Sequence, residues 1–290
     1  MNIEDQYNLR PIWDATFEIY KAIAKICDRH SLRYYVTDGT LIGAVRHKGF
    51  IPWDDDFDMS MPRPDYERFI GYAKNELPSH LKFVNWENTP EFHLMFGKVQ
   101  DCRREVVVSL ENQCGYKLSN GVFVDIFPID GYPVKKSDRF LIRAFDFILR
   151  QDINFRFIKW KDRSWKGRLL YPLGALIAFI LPWLKTYSDF QRVYEKMLLK
   201  YPYDMSEYTG RASVCLHVIN RPPLLKTTWG MGRKTDFHTA KVNIPDNFDA
   251  YLRPIYGDYM RLPPVESRHP SHSYSYRCAW WLGPTRDVQN

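Results

Sequence analysis

At 290 residues the chain is long enough to bury a core without disulfides or structural metals, and its five cysteines, odd in number and without a C-x-x-C pair, indicate neither a disulfide framework nor a zinc site. The net charge is +7, and between positions 135 and 168 eleven Lys or Arg stand against four Asp, an excess that equals the whole net charge. The positive charge therefore belongs to one segment, which argues against nucleic acid as a partner.

The first 134 residues carry alternating helix and strand patterns. Apolar residues at helical spacing predict an amphipathic helix over 12–30, and further helices are expected over 40–46 and 64–75. Residues rich in β-branched and aromatic side chains predict strands at 34–36, 57–61, 81–86, 94–99, 105–110 and 122–126. We therefore expect an α/β (α+β) fold, with a mixed sheet flanked by helices.

The pattern becomes helical and aromatic from residue 137. Helices are predicted over 139–157, 189–200 and 249–256, while the rest of the chain after 208 is proline-rich and expected to be irregular. The apolar run 169–184 is 16 residues long and interrupted by Pro172 and Pro182, whereas a membrane-spanning helix needs roughly 20 residues. It is either a buried core helix or a segment at a membrane interface, and the flanking basic and Trp residues favour the second.

These patterns divide the chain into three parts. We expect a catalytic core over 1–134, a helical basic and apolar insertion over 135–205, and a C-terminal part over 206–290 that completes the active-site domain. The N-terminus lacks the basic and apolar regions of a secretory signal. The protein is expected to remain in the reducing cytoplasm, with the inner face of the cell membrane as a further location if the insertion contacts lipid.

Four carboxylates crowd into five positions, at residues 54, 55, 56 and 58. They would repel one another unless they are solvated or neutralised by a cation. On an extended strand Asp56 and Asp58 point to one face, while Phe57 and Met59 pack behind them. Two oxygen ligands at a fixed separation suit Mg²⁺, with Mn²⁺ as an alternative. A solvated acidic turn is the other interpretation.

A small-residue turn precedes this acidic motif. Asp38, Gly39 and Thr40 begin a helix where backbone N–H groups and a hydroxyl can meet phosphate oxygens, an arrangement typical of nucleotidyltransferase folds. A third carboxylate is then expected on a neighbouring strand, and Asp125 supplies it. Because an isolated buried Asp is costly, Asp125 requires a metal, a salt bridge or hydrogen bonds. Asp130, next to Gly131, is interpreted as a turn residue.

The string DGTLIGAVRHKGFIPWDDDFDMSMPRPDYERF at 38–69 resembles the signature of the LicD family, which includes bacterial phosphocholine transferases and fukutin-type ribitol-phosphate transferases. Further matches are FGKV at 96–99, VDIFPIDG at 124–131 and YGDYMRLPP at 256–264. The resemblance covers about residues 32 to 282, interrupted by the insertion, which matches no family motif.

The resemblance implies a nucleotidyltransferase-like fold and a metal-dependent transfer of a phospho-alcohol from a cytidine diphosphate donor to a glycan hydroxyl. CDP-choline is the commonest expectation, and the glycan is expected to be a surface polysaccharide or its lipid-linked precursor. Asp56 and Asp58 match the metal-binding pair and Asp125 the third acidic position. Arg46 and Lys98 match basic positions of the family that are expected to contact substrate. Arg268 and His272 match a further basic and histidine-containing region, but with looser spacing.

Four alternatives remain open from the sequence, two for the function and two for the roles of single residues. A true nucleotidyltransferase would use the same carboxylates but release pyrophosphate. A protein that only binds nucleotide or glycan would not need all three carboxylates. Arg46 would not contact the donor if it pairs with the acidic loop. His272 would not contact phosphate if it is a surface residue. The family's eukaryotic members carry an N-terminal anchor that this sequence lacks, so a bacterial enzyme is expected.

Overall fold

The computed structural model describes residues 7–89, 92, 94–104, 121–157, 165–180, 187–211 and 223–270. Helices in these ranges are α1 (Arg10–Arg29), α2 (Asp38–Ile42), α3 (Arg63–Glu76), α4 (Lys136–Phe157), α5 (Trp165–Leu169), α6 (Tyr171–Ile180), α7 (Tyr187–Leu199) and α8 (Phe248–Tyr256). Strands are β1 (Tyr35–Val36), β2 (Asp58–Pro62), β3 (Leu81–Val84), β4 (Gly97–Asp101), β5 (Val122–Gly131), β6 (Tyr208–Gly210), β7 (Leu224–Leu225), β8 (Arg233–Phe237) and β9 (Ala240–Ile244).

A mixed sheet organises the fold, as the α/β prediction requires. Its order is β1-β2-β5-β4-β3, and β6 and β7 extend it from the far end of β5. The β2–β5 pair is parallel, whereas the other pairs in this sheet are antiparallel. β5 is therefore the central strand, and its residues Asp125 and Ile126 have strand partners on both sides.

Helix α1 packs on this sheet through the apolar face that its periodicity predicts. Ile12, Ile19, Ile23 and Ile26 are buried, in one cluster with residues of β2, β4 and β5. Helix α3 contacts α1, β2 and β3. The helix predicted over 40–46 consists of α2 and a π-helical turn at Gly43–His47.

Strand β5 corrects two predictions. It continues to Gly131 instead of ending at residue 126, and it passes through Pro128, which faces Met61 in the parallel pair. Proline cannot donate to a sheet ladder and is uncommon within a central strand. The interpretation of Asp130 as a turn residue is wrong: Asp130 is 1% exposed and receives two hydrogen bonds, of 2.7 and 2.9 Å, from the guanidinium of Arg63.

The insertion begins after β5, and its described residues are mostly helical, as predicted. Its base packs on the rest of the protein through a second apolar cluster, in which Ile142, Tyr194 and Leu198 meet Val84 and Trp86. Further out, large apolar side chains are exposed: Leu169 (73%), Leu173 (37%), Leu176 (54%) and Phe179 (71%). The buried core interpretation of this run is thus wrong for these four residues.

None of the helices in the described ranges has both the length and the apolar content needed to cross a membrane. The chain after residue 208 is more regular than expected, because β6 and β7 extend the sheet and β8 and β9 form a hairpin. Strand β8 is rich in charged residues and most of its side chains are exposed, so the sequence did not predict a strand there. The strand predicted at 105–110 and the end of the apolar run at 181–184 lie outside the described residues.

Candidate active site

A cavity of about 1150 Å³ lies where β2, β5, α2 and the chain after α8 meet. One part of its wall is acidic and another is basic, and aromatic rings lie among them. The acidic residues are Asp38, Asp54, Asp56, Asp58, Asp125 and Asp258; the basic ones are Arg46, Arg261 and Arg268; the aromatic ones are Trp53, Phe96, Phe127, Tyr256 and Tyr259. Seven of the ten predicted site residues line this cavity, whereas Thr40 and Lys98 lie behind the wall and His272 lies outside the described residues.

Sheet register brings the predicted third carboxylate to the acidic motif. Asp58 at the start of β2 is paired with Asp125 of β5, and Asp125 is paired with Lys98 of β4. Residues opposite one another in adjacent strands point to the same face. Asp58 and Asp125 are therefore neighbours on the face that lines the cavity. Asp56 lines it too, while Phe57 and Met59 are fully buried, as strand alternation predicts.

Lys98 neutralises Asp125. Its ammonium forms an ion pair with Oδ1 of Asp125 and lies 3.6 Å from the centre of the Phe123 ring, with the lysine only 3% exposed. The salt bridge that the sequence left open for Asp125 is thus present, although Asp125 still lines the cavity. A contact from Lys98 to donor phosphate stays a prediction.

The acidic loop before β2 brings three carboxylates together. Oxygens of Asp54, Asp55 and Asp56 lie within 4.8 Å of one another, a spacing that suits a shared metal ion. This group overlaps the predicted trio only at Asp56, and Asp54 enters the cavity wall as well. Asp54 belongs to the same acidic run, so the sequence contained evidence for it as a ligand. Strand alternation, however, predicted only Asp56 and Asp58 on the ligand face.

These carboxylates are electrostatically crowded. Burial and then the charges of Asp56 and Asp55 raise the pKa of Asp54 well above its usual value. Burial also raises the pKa of Asp58, with further contributions from Asp56, Asp38 and Asp125. A divalent cation bound here would relieve both effects, because its charge would replace protons in compensating the carboxylates. The donor set, hard oxygens only, fits Mg²⁺ or Mn²⁺.

The glycine turn lies directly against this loop. A Cβ on Gly39 would come within 2.4 Å of Oδ2 of Asp54, so a side chain there would displace the carboxylate. Thr40 is buried, and its hydroxyl accepts a hydrogen bond of 2.9 Å from the amide of Asp58. The turn thus supports the acidic strand, and a phosphate contact from Gly39 and Thr40 remains a prediction.

Arg46 contributes to the basic wall from the π-helical turn. Its guanidinium donates to the carbonyl oxygens of Tyr259 at 2.6 Å and Arg261 at 3.2 Å, which ties this turn to the loop after α8. Burial, and then the nearby charge of Arg268, lowers the pKa of Arg46, while Asp54 opposes the shift. Arg268 itself lies 5.7 Å from the ring centre of Trp53.

Sequence reasoning did not find the partners of Asp38. Arg211, Tyr251 and Tyr256 all donate to its carboxylate. Tyr256 belongs to the motif at 256–264, so the sequence could have indicated that it lies near the site. Arg211 and Tyr251 stand in no motif, and only the fold brings them to residue 38.

Comparisons with known proteins find similarity to a family and to individual proteins. The family described as LicD/FKTN/FKRP, nucleotidyltransferase domain, matches residues 31–161. The lipopolysaccharide cholinephosphotransferase LicD of Haemophilus influenzae is 28% identical over 256 residues, which cover 85% of this chain and 89% of that protein. Uncharacterized proteins of Rickettsia typhi and Rickettsia prowazekii are 36% and 37% identical over 53 and 49 residues, at most 18% of any of the chains.

The family match includes the glycine turn, the acidic loop, β2 and β5, which carry five of the six acidic residues of the cavity wall; the sixth, Asp258, lies outside the match. The similarity to the Haemophilus protein extends beyond these residues to most of the chain. The chain therefore carries a LicD-family domain over residues 31–161.

Proposed function

We propose that this protein transfers a phospho-alcohol, with phosphocholine as the first candidate, from a CDP-alcohol to a hydroxyl of a surface glycan or its lipid-linked precursor, releasing CMP. The observation that carries the proposal is the cavity in which Asp56, Asp58 and Asp125 share one wall. The similarity to a lipopolysaccharide cholinephosphotransferase supports the choice of transferred group. We place the cavity in a nucleotidyltransferase-like fold.

Asp56 and Asp58, with Asp54 beside them, would hold the metal ion, and Asp125 is the remaining candidate ligand. When bound, Mg²⁺ would supply positive charge to the donor diphosphate, whose P–O bond to CMP breaks in the reaction. Arg46 and Arg268 on the basic wall bind the remaining phosphate charge of the donor. These side chains position the donor and compensate the charge of its diphosphate.

The acceptor hydroxyl needs a group to take its proton. Asp125 is the candidate, because it lines the cavity and its Oδ1 is already engaged by Lys98. Its other oxygen is the one that we assign to the acceptor. If Asp125 ligates the metal instead, the same carboxylate serves donor binding.

The test is incubation with a panel of CDP-alcohols and Mg²⁺, followed by measurement of CMP. We expect Asp56→Asn and Asp58→Asn to lose at least about 100-fold in turnover, as loss of a charged group at the reacting phosphate does. Asp236→Asn is the control, because that residue is exposed and pairs only with Lys241 among the described residues. Wild-type turnover in both variants would refute the proposal.

The family description includes the term nucleotidyltransferase, which favours one competing function. The same carboxylates would then serve transfer of the nucleoside monophosphate itself. The leaving group separates the two functions, since phospho-alcohol transfer releases CMP and nucleotidyl transfer releases pyrophosphate.

We also propose that the insertion holds the protein on an anionic membrane surface at the inner leaflet. The exposed apolar side chains on α5 and α6 belong to the same insertion as exposed basic residues such as Lys135, Lys136 and Arg143. Apolar residues with a basic flank favour the interface of an anionic bilayer. This location would bring the cavity close to a lipid-linked acceptor.

Liposome flotation tests this location. A variant with Leu169, Leu173, Leu176 and Phe179 changed to Ser should no longer float with anionic vesicles, whereas the wild type should. Met205 and Met231, which are 85% and 74% exposed outside the insertion helices, give a matched control when both are changed to Ser. Equal flotation of the wild type and the insertion variant would contradict the proposal.

A further inference from the structure

The glycine turn begins in an unusual backbone conformation. Asp38 has a φ of 49°, in the left-handed region that non-glycine residues seldom occupy, and it is 6% exposed at the first position of α2. Such a conformation persists only where surrounding contacts hold it. The contacts of the Asp38 side chain therefore decide the shape of the turn.

Three side chains from the C-terminal part of the chain hold this carboxylate. Arg211, which follows β6, forms an ion pair with it and donates from Nη2 to Oδ1 at 2.8 Å. The hydroxyls of Tyr251 and Tyr256, both on α8, donate to Oδ1 at 3.1 and 2.8 Å. Arg211 is itself 5% exposed and lies 4.8 Å from the ring centre of Phe127.

The same turn is connected to the acidic strand. Arg211 also contacts the hydroxyl of Thr37 at 3.5 Å, and that hydroxyl lies 3.0 Å from the hydroxyl of Ser60 on β2. On either side of Asp38, the amide of Thr37 donates to the carbonyl of Asp58, and the amide of Asp58 donates to the hydroxyl of Thr40. The turn is therefore hydrogen-bonded to the backbone of Asp58 on both sides of Asp38.

We propose that Arg211 is a positioning residue that fixes the Asp38 turn and, through Thr40, sets the place of Asp58 in the cavity. The inference rests on the proposed function for its catalytic consequence. In it Asp38 acts as the anchor for Arg211, because the hydrogen-bonding capacity of its carboxylate is largely taken up by protein groups. Arg211 lies outside the 31–161 match, so the domain that holds the site is completed by a later segment.

Two variants test the inference. Arg211→Lys keeps the charge but loses the planar fork that contacts Thr37 and Asp38 together. Tyr251→Phe removes one hydroxyl from Asp38 and keeps the buried ring. The control is Tyr35→Phe, which removes a buried tyrosine hydroxyl that donates to the carbonyl of Gly230 at 2.6 Å.

Two readouts are needed. In CMP release, we expect Arg211→Lys to lower kcat about 10–100-fold, the range that a small displacement of a catalytic group produces, with the donor KM changed less than about threefold. In hydrogen–deuterium exchange without substrate, we expect the peptide over 37–47 to exchange faster than in the wild type. The exchange rate of the peptide over 97–101 should not change. Tyr251→Phe should show both effects in weaker form.

The inference is overturned if the Arg211 and Tyr251 variants behave like Tyr35→Phe, or if only one of the two readouts changes. Should Arg211→Lys fail to fold, Tyr251→Phe decides by the same criteria. Exchange is measured without substrate, so a wild type that consumes no CDP-alcohol refutes the proposed function separately. In that case the exchange over 37–47 alone decides whether Arg211 holds the turn.

Discussion

Replacing Asp54 by Asn tests the electrostatic crowding of the acidic loop. Oxygens of Asp54, Asp55 and Asp56 lie within 4.8 Å of one another. Two unit charges about 5 Å apart repel by roughly 3 kcal/mol at an effective dielectric constant of 20. Partial protonation and solvent reduce this repulsion. We therefore expect the free energy of unfolding of the metal-free variant to exceed that of the metal-free wild type by about 1–2 kcal/mol, which corresponds to about 2–6 °C in Tm.

The effect should depend on pH in a defined direction. Burial raises the pKa of Asp54, so the folded protein retains a proton there that the unfolded chain releases. Wild-type stability is therefore lost as the pH rises through the raised pKa, and the advantage of Asp54→Asn should be larger at pH 8 than at pH 5. Added Mg²⁺ should raise the Tm of the wild type more than that of the variant.

Thermal unfolding in EDTA and in MgCl₂ measures both quantities. Asp236→Asn is the matched control, since this exposed residue should change stability by no more than about 0.5 kcal/mol. The reasoning is refuted if Asp54→Asn lowers the Tm in EDTA by more than the control does.

Three further changes follow from contacts in the fold, and each is measured by its effect on the free energy of unfolding. Burial raises the pKa of Glu195 to about 7, so the stabilisation that comes from its retained proton is lost as the pH rises from about 4.5 through 7. In thermal melts, we expect Glu195→Gln to be more stable than the wild type at pH 8, by up to about 3 kcal/mol, and similar to it at pH 5. Urea unfolding should show a loss of about 3 kcal/mol for Asp130→Asn, because the buried guanidinium of Arg63 loses its main partner, and a loss under 1 kcal/mol would contradict this. Gly43→Ala should lose about 1–3 kcal/mol in the same assay, since its Cβ would lie 2.4 Å from a backbone carbonyl oxygen, whereas Gly71→Ala, which faces open space in α3, should not destabilise.

Elements with a strong local pattern were predictable. The apolar spacing of α1 identified its buried face, and alternation placed Asp56 and Asp58 on the cavity side, with Phe57 buried behind them. Asp125 was predictable because an Asp within an apolar strand needs a compensating partner. In each case the information lies within a few residues, where side-chain direction follows directly from backbone geometry.

Features that depend on distant contacts were not predictable in the same way. Asp130 looks like a turn residue beside glycine, and only its ion pair with Arg63, 67 positions earlier, explains a buried carboxylate in a strand. The contact between Arg211 and Asp38 joins residues 173 positions apart. Which of several nearby carboxylates approach one another depends on loop geometry that neither spacing nor composition determines.

The insertion leaves and rejoins the sheet at adjacent points, because Gly131 at the end of β5 pairs with Thr209 of β6. Whatever length of chain lies between these residues, the two strands can keep their register. Its base is constrained by the cluster around Trp86 and Tyr194, but the outer helices touch little that the sheet requires. A different length or sequence in this outer portion would therefore leave the register of the sheet and the described lining of the cavity unchanged.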